Sequence, residues 1–283
     1  MIRIVTDTDA NLPQEVIEEF RIGVAPIHLI FGDEVLRERV DISDAESYAR
    51  MAAAPELPKT SQPPASEFLS IYERMLAEDP RATILSIHIS SLLSGTVNSA
   101  RQAAAMYPDA DIRIFDTRSA SFGQSLMVRH AADMARWGAS VDAILERLSQ
   151  MRDDMRVFFV LETLEYLARG GRIGRAAHLL GTLLDLKPIL TVTEGIIDAH
   201  SRHRTWRRAL AALRALVMED ARPGPNLHMG VIHAVSEEPA RQLHDELVAS
   251  LSPGVMLFGE LGPGLGVHTG PGALGVCWVH VPD

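Results

Sequence analysis

The 283-residue chain has room for one large domain or two of ordinary size. With 47% hydrophobic and 23% charged residues it is globular with a full core, and a net charge of −10 argues against a general nucleic-acid binder. Lys59 and Lys187 are the only lysines, and a single cysteine, Cys277, excludes intramolecular disulfides and cysteine-rich metal sites. Met1–Val5 enters a strand at once without the apolar core of a signal peptide, and no run approaches about 18 apolar residues. The expectation is a cytoplasmic protein without a membrane span.

In chain order, Ile2–Thr6 reads as a short buried strand and Pro13–Phe20 as a helix. Val24–Phe31 is strand-like despite Pro26, 44–53 and 66–76 are helical, and Thr83–Ile89 is a strand. A hydroxyl-rich turn, Ser90 to Gly95, leads into helical periodicity over 97–107. A strand over 111–115 then precedes a helix from about Ser121 to Arg136. Alternation of this kind predicts a parallel sheet with helices on both faces, and ligands on such sheets sit beyond the carboxyl ends of the strands. The loops Asp7–Asn11, Ser90–Gly95 and Asp116–Ser121 lie at those ends.

The second half changes character. Strands are expected over 156–161, 189–192, 196–200, 227–234, 255–258 and 275–281, with a hairpin turn at Glu194-Gly195 and helices over 204–218 and 237–251. This predicts two α/β domains, 1–153 with a parallel sheet and 154–283 with a mixed or antiparallel one.

Four segments carry candidate chemistry, each with a plainer alternative. Ser90, Ser91, Ser94, Gly95 and Thr96 place hydroxyls and a glycine at a helix N-terminus, where free N–H groups and the helix dipole favour an anion; Ser94 or Thr96 also suits a plain N-cap. Thr60, Ser61 and Gln62 can present two hydroxyls and an amide, or form a helix-entry loop capped by Ser66. In Gly170-Gly171-Arg172-Ile173-Gly174 a compact backbone lets a guanidinium reach an anion, or the glycines simply stop a helix. Seven glycines between Gly259 and Gly275 surround His268; with no helix expected there, the segment reads as a loop where backbone meets a ligand or another chain, and His268 can donate to an anion or shuttle a proton, or is simply a structural or solvated histidine.

Asp7 and Asp9 after the first strand suggest a magnesium-dependent phosphatase or phosphotransferase, with one aspartate attacking phosphorus. Asn11 stands where that pattern wants Thr or Val, so a turn with a cap for the next helix is the alternative. Arg202, Arg204, Arg207 and Arg208 form a basic run at a helix start that suits a solvated face.

In shared order these segments resemble the DegV family of bacterial fatty-acid-binding proteins, nearly end to end. The resemblance rests on Ile4-Val5-Thr6-Asp7-Thr8 with Asn11-Leu12-Pro13, Thr60-Ser61-Gln62-Pro63, Ser90 to Thr96, Asp116 to Gly123, Gly170 to Ile173, Lys187 to Leu190, Arg204-Thr205 and Gly266 to Gly272. Thr8 replaces the usual Ser, Val267 a common Ala, and Pro64 follows Gln62-Pro63.

The resemblance implies a non-catalytic protein with a long-chain fatty acid between its two domains. It implies a carboxylate held by Thr60, Ser94 and the Gly95 amide, with His268 and Arg172 near the head group. Ser61, Ser91, Thr96, Ser121 and Arg204 are further candidates, and neither cofactor nor metal is implied. The implied partner is a separate fatty acid kinase (DhaK/DhaL-like) that phosphorylates the carboxylate, the acyl phosphate entering phospholipid synthesis. A lipid-sensing protein without a kinase partner is the remaining alternative.

Overall fold

The computed structural model describes residues 1–54, 56–180 and 186–281. The chain forms two compact units: Met1–Arg152 with Gly262–Gly264, and Asp153–Leu261 with Leu265–Asp283.

The first unit contains β1 (Ile2–Asp7), α1 (Gln14–Phe20), β2 (Gly23–Ala25), β3 (His28–Phe31), β4 (Glu34–Arg37), α2 (Asp44–Ala53), β5 (Lys59–Ser61), α3 (Ala65–Glu78), β6 (Thr83–His88), α4 (Thr96–Ala104), β7 (Ile112–Asp116), α5 (Phe122–Arg136) and the start of α6 (Val141–Asp154). Among the described residues, β2-β1-β6-β7 form a parallel sheet with Ile4 opposite Leu85 and Leu85 opposite Arg113. Val5 and Ile84 pack with Phe68, Ile71, Tyr72 and Met75 of α3 and with Ala100 and Ala103 of α4. Full burial of side chains such as Phe68 is worth about 1.5–3 kcal/mol each. Gly23 permits the close approach of α3, since a β-carbon there would meet Ile71 Cγ2 at 2.7 Å.

The continuous strand expected over 24–31 is two strands in two sheets. Pro26 cannot donate to a ladder, and the chain leaves the parallel sheet after Ala25. β3 then enters a small antiparallel sheet, β4-β3-β5, in which Leu29 pairs with Thr60. Two expected caps also differ. α3 starts after Pro64, so Ser66 lies inside it, and α1 starts after Pro13 rather than behind an aspartate.

The second unit holds β8 (Arg156–Val160), α7 (Glu165–Arg169), β9 (Lys187–Thr193), β10 (Ile196–His203), α8 (Trp206–Asp220), β11 (Leu227–His233), α9 (Glu237–Leu251), β12 (Val255–Glu260), α10 (Pro263–Thr269, from Leu265 on) and β13 (Leu274–His280). Its sheet, β10-β9-β8-β13-β11-β12, is mixed: β11 and β12 run parallel and the other neighbours antiparallel. Glu194 and Gly195 take φ of 53° and 82°, the double left-handed turn of a two-residue hairpin. Leu213 and Val217 of α8, Leu247 of α9 and Trp278 of β13 fill the core, and Trp278 Nε1 donates to Asp220 Oδ2 at 2.7 Å.

The glycine-rich segment is not a loop throughout. Pro263–Thr269 is helical, with Pro at the first position, where its missing N–H costs nothing. The left-handed Gly270 (φ 74°) ends it, its N–H donating to Gly266 O at 2.8 Å.

Candidate functional site

In the first unit the three loops at the carboxyl ends of β1, β6 and β7 are bonded into one surface. Ser90 N–H donates to Ser119 O (2.8 Å), Ser121 N–H to Asp9 O (3.0 Å) and Thr117 N–H to His88 O (3.1 Å). On this surface Gly95 is the N-cap of α4, with no side-chain cap. Ser94 Oγ accepts only a long bond from Thr96 N–H (3.4 Å), and the Ser94 and Thr96 hydroxyls bond each other at 2.8 Å, a hydroxyl pair at the positive end of a nine-residue helix. Gln62 packs against Gly95, where a β-carbon would meet its amide at 2.8 Å. This contact draws the end of β5, with Thr60 and Ser61 half-buried, up to the start of α4.

The flanking candidates are placed differently. Ser91 is exposed and its hydroxyl donates to Asp116 Oδ2 at 2.5 Å. Ser61 Oγ donates to Gln62 O at 3.3 Å. Ser121 is the N-cap residue of α5 at a positive φ of 54°, its Oγ buried and without a partner among the described residues.

Beneath this surface runs a buried polar chain that sequence reasoning missed. Asp7 Oδ2 accepts from His88 Nδ1 (2.8 Å), Gln124 Nε2 (3.1 Å) and Ile89 N–H (3.3 Å). With Nδ1 donating to a carboxylate, His88 Nε2 accepts from Ser86 Oγ (2.6 Å), which in turn accepts from Tyr72 OH (2.8 Å). Serine, histidine and aspartate thus align as in a hydrolytic triad. Asp7, Ser86, His88 and Tyr72 are all 0% exposed, however, and Tyr72 covers the serine oxygen. No substrate reaches it; the chain fixes β1 to β6 and holds Ile89, where the Ser90–Gly95 loop begins. Asp7 is thereby a structural acceptor rather than the attacking nucleophile, and it caps no helix through its side chain.

A second buried node surrounds Glu38, which is 1% exposed. Its carboxyl accepts from the Thr8 hydroxyl and from Gly264 N–H at 2.9 Å. β-Carbons at Gly262 and Gly264 would lie 2.8 and 3.2 Å from its oxygens, so glycine is needed for this approach. Desolvation raises the Glu38 carboxyl to about 7. A single glutamate in a polar stretch carries no sequence signal of this kind.

In the second unit Gly170 joins two of the expected residues. α7 ends there, Arg172 Nη1 donates to Gly170 O at 2.8 Å, and the His268 ring lies against Gly170, where a β-carbon would sit 2.1 Å from Nδ1. Burial, and then the nearby Arg172 charge, lower His268 to about 4. At neutral pH His268 is therefore an uncharged imidazole, and Arg172 is the cation of the pair. Arg204 is exposed in the turn between β10 and α8.

The family model described as "Uncharacterised protein, DegV family" matches residues 1–281. The chain belongs to the DegV family. Protein DegV of Bacillus subtilis is 35% identical over 279 residues, covering 98% of each chain. A DegV domain-containing protein of Deinococcus radiodurans is 34% identical over 275 residues, with 97% of each covered. Among solved structures, the fatty-acid-binding DegV family protein of Thermus thermophilus superposes with a TM-score of 0.89 at 35% identity, covering 99% of each chain. A stearic-acid-binding protein of Eubacterium ventriosum reaches 0.87 at 27% identity, covering 99% of this chain and 98% of its own.

DegV proteins are thus described as fatty-acid binders, in keeping with a lipid-binding protein rather than a catalyst. In this DegV chain the expected head-group residues fall into two sets, Thr60, Ser94, Gly95 and Thr96 in the first unit and Arg172 and His268 in the second. Among the described residues no helix is long and apolar enough to cross a membrane, and no cluster of His, Cys, Asp and Glu suits a metal ion.

Proposed function

We propose that this protein binds a long-chain fatty acid, holds its carboxylate with Thr60, Ser94 and the Gly95 amide, and presents it in the cytoplasm to a separate fatty acid kinase. The kinase forms the acyl phosphate that enters phospholipid synthesis. We assign Arg172 and His268 to the same head group.

The Ser94–Thr96 hydroxyl pair at the N-terminus of α4 carries this reading, because one hydroxyl donates to the other and the remaining O–H is a neutral donor beside a helix dipole. A carboxylate buried beside an apolar tail loses several kcal/mol of hydration unless such donors replace water. Tail burial at about 0.8 kcal/mol per CH₂ then supplies most of the affinity. Neutral His268 can donate to a carboxylate or an acyl phosphate without releasing a proton. Full-length similarity to fatty-acid-binding DegV structures supports the ligand class.

Mass spectrometry of the purified protein, native and then denatured, tests the ligand. A noncovalent adduct with the mass of a long-chain fatty acid, released on denaturation, is expected; protein that is empty and takes up no added fatty acid overturns the reading. For the partner, the lipid-loaded protein is incubated with ATP and a fatty acid kinase, and acyl phosphate is trapped with hydroxylamine. Failure to form hydroxamate from bound lipid leaves a lipid-sensing role.

A further inference from the structure

The amino end of the parallel sheet, away from the loops above, carries a basic cleft. It measures ≈ 370 Å³ and is lined by Arg3, Arg21, Ile22, Arg74, Met75 and Glu78. Three guanidiniums face one carboxylate in a chain whose net charge is −10. Glu78 is engaged by Arg3 Nη2 at 2.8 Å. The other two guanidiniums, of Arg21 and Arg74, have no ion pair among the described residues, and Arg3 Nε is buried without an acceptor.

Two further features fit a ligand. Arg21 closes α1 in the left-handed region (φ 50°), a position that favours glycine or asparagine, so an arginine there is held at a local conformational cost. Ile22 and Met75, both buried, give the cleft an apolar wall, and low-dielectric walls concentrate the field of the surrounding charges. Guanidinium forks match phosphate oxygens two at a time.

We propose that this cleft is a binding site for a small phosphate-bearing molecule, separate from the head-group site. Pyrophosphate is the probe, titrated calorimetrically into the full-length protein at low and high salt. One saturable site is expected, weaker at high salt. Arg21→Ala with Arg74→Ala should weaken it about tenfold or more. Because both side chains are exposed, the unfolding midpoint without ligand should not move. Ser94→Ala should leave pyrophosphate affinity unchanged, which keeps this result independent of fatty acid binding.

Absence of saturable binding, retention in the double variant, or loss in Ser94→Ala instead would overturn the assignment. Vesicles of phosphatidylglycerol and phosphatidylcholine supply the remaining arm. Sedimentation with them through Arg21 and Arg74, undiminished by pyrophosphate, would assign the arginines to an anionic lipid surface and also overturn it.

Discussion

The imidazole of His268 rests directly on the backbone of Gly170, so closely that a β-carbon there would sit 2.1 Å from Nδ1. Gly170 itself has an ordinary helical φ of −75°, so alanine is conformationally acceptable there and the ring is the chief obstacle, with Tyr166 O next at 3.2 Å. Gly170→Ala should push His268 off its seat and cost about 1–3 kcal/mol, as overpacking does. The His268 ring resonances in NMR should move while α8 and α9 keep their spectra, and unchanged resonances would contradict the contact.

His268 should titrate near pH 4 rather than 6.5. Above 6.5 both folded and unfolded chains hold it neutral. Between 6.5 and about 4 the unfolded chain binds the proton and the fold does not, so stability falls as pH falls, by at most about 3 kcal/mol. Arg172→Gln removes a repelling charge and should raise the midpoint, which NMR titration of the imidazole reads directly.

Glu38 works in the opposite direction. Below pH 4.5 both states hold its proton; between 4.5 and about 7 only the unfolded chain releases it. Stability is therefore lost as pH rises through that window, again by at most about 3 kcal/mol. Chemical denaturation of Glu38→Gln at pH 5 and pH 8 should show the variant gaining on the parent at the higher pH. An equal difference at both would mean that Glu38 ionises normally in the fold.

Ser94→Ala and Thr60→Ala should each weaken fatty acid retention by about 10- to 100-fold, the range of a hydrogen bond to a charged group. Neither should unfold the protein, since both side chains are only half-buried. Lipid content after purification, with melting curves as control, checks this; full retention in both variants would move the head group elsewhere. His268→Ala should reduce acyl phosphate formation more than fatty acid binding, and equal loss of both would contradict a role in transfer.

Asp7→Asn should behave as a folding lesion. It weakens a buried acceptor of three donors, and a loss of about 2–4 kcal/mol is expected. Phosphatase assays with magnesium should show no turnover in either protein. Activity in the parent that vanishes in the variant would restore the phosphotransferase alternative.

The parallel half was legible because each strand is a short apolar run and each helix has its own periodicity. The Glu194-Gly195 hairpin was legible from its turn chemistry. β5 was not, because three polar residues show no alternation; its pairing with β3 comes from the sheet. Helix α6 also escaped the sequence reading, and α10 contradicted it. Three glycines and a proline in 262–266 carry a poor intrinsic helix propensity that the Glu38–Gly264 bond and close packing override. The hydroxyls and glycines of the candidate site were visible as motifs. The Tyr72–Ser86–His88–Asp7 chain was not, since only the fold brings α3, β6 and β1 together.

Gly262–Gly264 completes the first unit from a position more than a hundred residues beyond its main segment. On the ribosome, the half that is made first thus waits for residues made more than a hundred positions later. Until residue 264 emerges, the Glu38 carboxyl lacks one of its donors and Asn11 lacks the glycine packed against it. A fragment ending at Arg152 should therefore be metastable, and circular permutants that carry 262–264 at a new terminus offer a way to mend it. The glycine segment thereby acts as a late quality mark on synthesis, because only a chain extended past residue 264 can close the N-terminal unit.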